Sequence, residues 1–177
     1  MKKFIVLFGS LALLLGATTI FAQDAPFGDP VSVKYSKKLW NVLKKERLIG
    51  PDAIFSKPYK GTHPHGAVLD TINSRVTVRG HNGLVFVKRN YGGEGATVAS
   101  VSTDPAKHLK AITVMFQRED GYDSDNQNWF WAKYLVDGSL DKNPKGMALA
   151  GRVAKGKSKG CIACHTAAPG GDYLFLK

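Results

Sequence analysis

Leu84-Val85-Phe86-Val87-Lys88-Arg89-Asn90-Tyr91 is the stretch that decides the fold. Side chains alternate across a strand, so Leu84, Phe86, Lys88 and Asn90 share one face while Val85, Val87, Arg89 and Tyr91 share the other. Both faces open apolar and end basic or polar. The same period of two runs outward from Gly66, with residues 67–73, 75–78, 96–102, 111–118 and 128–136 as further strand candidates. His81-Asn82-Gly83, Gly92-Gly93 and residues 120–126 supply turn chemistry between them. Short strands joined by turns imply an antiparallel sheet.

Before the sheet, Tyr35, Leu39, Val42 and Leu43 recur at helical spacing with Lys37, Lys38, Lys44 and Lys45 facing water, until Gly50-Pro51 stops the helix. After it, residues 147–150 with Val153 are expected to form a short helix. A tail containing Pro169-Gly170-Gly171 closes the chain. The expected class is therefore α+β, a mainly antiparallel sheet with a few helices, one of them C-terminal.

That last helix carries Cys161-Ile162-Ala163-Cys164-His165. Cys-x-x-Cys-His is the spacing at which two thiols bond to the vinyl groups of one haem while the adjacent histidine ligates its iron. The chain holds only these 2 cysteines, so a four-cysteine zinc site or a disulfide framework has no partners to draw on. A thioredoxin-like redox pair would want a strand and an upstream tryptophan before the motif; a lysine-rich segment and a glycine stand there instead. The expected cofactor is one haem c, bonded to Cys161 and Cys164, with His165 as the iron ligand.

The N-terminus agrees with this chemistry. Lys2 and Lys3 precede an apolar run over residues 4–15, too short for a comfortable bilayer span, and small residues lead to a cut expected after Ala22. Residues 1–22 are thus read as an export signal and 23–177 as a single haem domain of about 155 residues, large enough for its own core. The expected compartment is the periplasm. Removing Lys2 and Lys3 from 25 Lys+Arg leaves 23 against 14 Asp+Glu. That surplus favours acidic partners such as another cytochrome, and nucleic acid is not expected in that compartment.

Only residues 166–177 follow His165, and they contain neither Met nor His. Any sixth iron ligand must come from upstream: Met115, Met147, His63, His65, His81 or His108. Met115 reads as a core methionine and Met147 as packing on the haem edge, so the order of elements leans towards an open distal position. Trp129, Trp131, Lys133 and Leu135 share a strand face opposite Phe130, Ala132, Tyr134 and Val136; such aromatic density suits a haem wall or an ordinary core. Lys145, Arg152, Lys155, Lys157 and Lys159 are a solvated face, a counter-charge for haem propionates, or a dock for an acidic electron carrier. Lys88 either snorkels to solvent or lies beside haem, where burial lowers its pKa and frees the amine as a nucleophile. Arg89, on the opposite face, is the expected neutral control for Lys88.

A C-terminal Cys-x-x-Cys-His after a β-rich body, His65-Gly66 leading to a strand with Asn73, the segment from Asn82 to Tyr91, and Trp129-Phe130-Trp131-Ala132-Lys133-Tyr134 together resemble the cytochrome P-460 family. The similarity spans roughly residues 35–170. It implies a mainly antiparallel β fold, commonly dimeric, and a five-coordinate haem with His165 as proximal ligand. In enzymatic members a strand lysine is joined to a meso carbon of the porphyrin, and Lys88 matches that position. Those members oxidise hydroxylamine, with nitrous oxide as one product; a related branch, the cytochromes c prime beta, lacks the crosslink and binds nitric oxide in an apolar pocket. Hydroxylamine oxidation also needs a base near the distal site. Glu94, Asp120, His63 and His65 are its candidates.

Overall fold

The computed structural model describes residues 27–175. The expected export signal lies outside the described residues. Helix α1, Pro30–Lys45, opens with Asp29 accepting a hydrogen bond from the Ser32 amide at 2.9 Å and with Pro30 in the first turn, where its missing N–H costs nothing. Tyr35, Leu39 and Leu43 are buried along one stripe. The helix ends before Gly50, with Glu46 as C-cap and Arg47 in a left-handed conformation (φ 56°).

A single sheet follows, with strands β1 (Tyr59–Lys60), β2 (Val68–Val78), β3 (His81–Tyr91), β4 (Leu109–Gln117), β5 (Trp129–Leu135) and β6 (Ala150–Gly151) in sequence order and every neighbour antiparallel. With the helices this is the α+β architecture expected. Residues 67–73 and 75–78 are not separate: β2 runs through them. Its hairpin to β3 turns at Arg79-Gly80, both at positive φ (52° and 86°), the geometry of a tight two-residue hairpin. His81-Asn82-Gly83 is therefore the start of β3 and not a turn. Gly83 has to be glycine there, since an added Cβ would meet the Gln117 carbonyl oxygen at 2.0 Å.

Two other expectations are overturned. Residues 96–102 alternate like a strand, yet Val98–Thr103 is helix α2, started by a capping box in which Thr97 and Ser100 satisfy each other's amides. A one-turn helix α3, Pro105–His108, leads on to β4. Residues 147–150 are extended rather than helical. Asn143 Oδ1 accepts from the Lys145 and Met147 amides and Gly146 takes φ 78°, so the chain reverses and lies back along β5, where the Lys133 amide donates to the Leu149 carbonyl.

The sheet separates two apolar clusters. On one face Val85, Val87, Ile112, Val114, Phe116 and Phe130 pack against the α1 stripe. On the other, Phe86, Met115, Trp129 and Trp131 meet Val153, Ile162 and Tyr173 from the C-terminal segment. That segment includes helix α4, Cys161–His165.

Beneath the first face, the Arg89 guanidinium is buried among backbone carbonyls. It donates to both Asp70 carboxylate oxygens (2.7 and 2.9 Å) and to the Leu48 and Ile54 carbonyls (both 2.8 Å), with the Phe55 ring 4.5 Å away. Tyr91 donates its hydroxyl to the same carboxylate at 2.8 Å. Arg89 does lie opposite Lys88, but as the tie that fastens the loop after α1 to the sheet it is no neutral control.

Candidate functional site

Strand register arranges the second face into rungs. Lys88 pairs with Thr71 on β2 and Thr113 on β4, and Thr113 pairs in turn with Lys133 on β5. Two residues along, Asn73, Phe86, Met115 and Trp131 form the next rung. The first rung is polar and carries two amines; the second is mostly apolar. Thr71, Lys88, Thr113, Lys133, Phe86 and Met115 line a cavity of about 1090 Å³, at the upper end of the range for cofactor pockets. Across it stand Cys161, Cys164 and His165. The motif and Lys88, 73 positions apart in the chain, thus face one space.

Helix α4 begins at Gly160, whose φ of 120° and close approach to Ala154 (2.4 Å for an added Cβ) only glycine accommodates. Cys161 and Cys164, three residues apart, fall on one helix face. Burial pushes the Cys161 thiol up to about 11, so it stays protonated. His165 is buried, and its Nδ1 donates to the Tyr173 carbonyl at 2.7 Å. A carbonyl can only accept, so Nδ1 holds the proton and Nε2 keeps its lone pair. Burial, reinforced by the Lys88 charge and opposed by the Tyr173 hydrogen bond, holds His165 below the ordinary imidazole value. Neutral imidazole is the form that ligates metal. Trp131, Phe175 and His65 ring it, with centroids 4.8, 5.4 and 6.0 Å away.

The two amines of the polar rung differ. Lys133 is paired with Asp141 at 2.8 Å. Lys88 has no hydrogen-bonding or ionic partner among the described residues, and burial lowers its pKa. Its side chain is half-buried and lines the cavity. His65 lines the cavity too, and its pKa falls to about 4 through burial first, then the Lys88 charge, with the Asn90 side chain partly opposing them. It is a neutral base at neutral pH.

Other sequence candidates separate cleanly. His63, Met115 and Met147 line the cavity. His81 bonds the Gln117 carbonyl at 3.1 Å and packs on Phe116, away from it. His108 is buried elsewhere, and Glu94 and Asp120 are exposed in turns; none of these three touches the cavity. No Asp or Glu is among the described residues that line it. Of the basic stretch, Lys155 is consumed internally by Asp123 and Asp125, while Lys145, Lys157 and Lys159 sit exposed at the cavity rim. Sequence reading missed Thr71, Thr113 and Tyr173: the threonines become visible only through register, and Tyr173 only through the fold of the tail.

The Cytochrome P460 family model matches residues 57–176, about two thirds of the chain. The chain belongs to this family. No curated protein and no solved structure matches it at a significant level. Cytochrome P-460 membership makes it a c-type haem cytochrome, and the residues present fit that group. Two thiols and an imidazole occupy one end of a large, mainly apolar cavity. Trp131 in its wall has a buried indole N–H without a partner among the described residues, a donor that is costly to leave unpaired unless a bound acceptor supplies one.

Proposed function

We propose that this cytochrome P-460 family member carries one haem c, bonded through Cys161 and Cys164 and ligated by His165, and uses it to oxidise hydroxylamine or process nitric oxide. The observation that carries the reading is the position of Lys88. An unpartnered amine with a lowered pKa faces the same cavity as the haem motif, from the middle of the sheet. Burial favours the deprotonated, nucleophilic form of the amine, so Lys88 is the residue placed to bond the porphyrin edge; that C–N bond would replace a meso C–H and pass two electrons and two protons to an oxidant such as a peroxide. Haem, when bound, supplies an iron that accepts electrons from a nitrogen ligand.

The protein's own residues account for the rest. His165 offers Nε2 as proximal ligand because Tyr173 holds its other nitrogen. His65 is the base that takes the proton as hydroxylamine is oxidised, since it is an imidazole lining a cavity that no carboxylate among the described residues lines. Phe86, Met115 and Trp131 give the same space an apolar wall. The signal-like N-terminus supports export to the periplasm. Lys145, Lys157 and Lys159 at the rim suit an acidic electron acceptor such as another cytochrome.

Steady-state turnover of hydroxylamine with an artificial electron acceptor tests the reading. Fully haem-loaded, Lys88-crosslinked protein that fails to turn over would sink it. A second reading, a non-enzymatic nitric oxide binder of the cytochrome c prime beta type, is favoured by the apolar wall of the cavity, which no carboxylate among the described residues lines. It expects tight binding of nitric oxide to the ferrous protein and haem free of Lys88. A low-spin spectrum at rest would promote a six-coordinate electron carrier over both.

A further inference from the structure

The tail after α4 and the turn between β4 and β5 clasp each other behind His165. Tyr173 adopts φ 67°, uncommon for a residue with a side chain, and its carbonyl is the acceptor for His165 Nδ1. Its hydroxyl lies 3.1 Å from Asn126 Oδ1 and 3.3 Å from the Asp125 carbonyl, either of which can accept its proton. Asn126 is buried and donates to Asp123 Oδ2 at 3.0 Å. Asp123 is in turn held by Lys155, which comes from the segment leading into α4, and Gln127 donates to the Gly171 carbonyl. The acidic turn whose purpose the sequence does not disclose thus grips both flanks of the haem motif.

We propose that Tyr173, anchored by Asn126, is a positioning residue for the His165 imidazole and thereby sets the reduction potential of the haem. This rests on the haem reading above. The tyrosine side chain fixes a strained backbone so that its carbonyl stays on Nδ1. A firm Nδ1–H to carbonyl bond makes Nε2 a stronger donor, and a stronger donor favours ferric over ferrous iron.

The test uses the full-length haem-loaded protein with Tyr173→Phe and Asn126→Ala, read by spectroelectrochemical titration and by the iron–histidine stretch of the ferrous state. Both variants keep their covalent haem by intact mass, raise the potential and weaken the stretch. A tenfold loss of ferric preference reads as about 59 mV for a one-electron couple. The double variant shifts no further than the larger single one, because both remove one linkage. If Tyr173→Phe fails to retain haem, Asn126→Ala decides alone, since it leaves the tail's sequence intact. A lower Tm with unchanged potential and stretch overturns the proposal by showing a purely structural role. Wild-type protein lacking thioether-bound haem overturns the haem reading as well, whereas a haem-loaded wild type with insensitive variants overturns this proposal alone.

Discussion

The imidazoles of His65 and His165 stand 6.0 Å apart and nearly perpendicular, one delivered by the loop before β2 and the other by α4. The two rings have different duties. His165 has its Nδ1 tied to a carbonyl, whereas His65 is a neutral base beside the unpartnered Lys88 amine.

His65→Ala is expected to keep thioether-bound haem and lose hydroxylamine oxidation by about 10²–10⁴-fold, the range for a positioned general base. Turnover under saturating hydroxylamine, paired with the resting spectrum, checks this. Unchanged turnover would remove His65 from the chemistry. A change from low to high spin on substitution would instead identify it as an iron ligand.

Lys88→Arg separates the crosslinked from the uncrosslinked reading. A guanidinium does not readily deprotonate, so it cannot attack the porphyrin edge, although it retains the positive charge and most of the length. Proteolysis of denatured wild-type protein should give a haem peptide that carries a Lys88 fragment besides the one with Cys161 and Cys164. The variant should give only the latter, with an altered ferrous spectrum and no hydroxylamine oxidation. Haem peptides of equal mass from both proteins would leave Lys88 uncrosslinked and move the function to nitric oxide binding.

Much of this was readable in the chain because burial writes itself as periodicity. Val85 and Val87 do face α1 while Phe86 and Lys88 face the cavity, and Phe130, Ala132 and Tyr134 do oppose Trp129 and Trp131. Local chemistry defeated periodicity at residues 96–102, where the hydroxyls of Thr97 and Ser100 cap a helix inside an alternating pattern. Near residue 147 the apolar run resembles a helix, but the Asn143 turn folds it onto the sheet. What the sequence withheld was pairing across distance. Register alone sets Lys88 between Thr71 and Thr113, and only the folded tail brings Tyr173 to His165.

Cys161→Ala and Cys164→Ala should each retain at most one thioether, because each sulfur takes a different vinyl group. Intact mass still shows haem in the denatured single variants, while their pyridine spectra shift to longer wavelength because one vinyl stays conjugated. Cys161 is the more enclosed of the two, so its loss should lower Tm more than the loss of exposed Cys164. Normal doubly bonded haem in either variant would contradict the attachment.

Arg89→Ala supplies the stability test that its neighbour Lys88 cannot. Removing the guanidinium strands the Asp70 carboxylate at 0% exposure and leaves the Leu48 and Ile54 carbonyls without their donor. Breaking one partner of a buried ion pair costs about 3–5 kcal/mol, which for a chain of this size is roughly 6–20 °C in Tm. Arg89→Met combined with Asp70→Leu should cost less than Arg89→Ala, since no charge is then left buried. Urea unfolding measures both. The folded fraction of Arg89→Ala should still yield the Lys88 haem peptide, because Lys88 and the cavity lie on the other face of β3. A variant as stable as wild type would show that water reaches Asp70, and that the loop after α1 is not fastened by this ion pair.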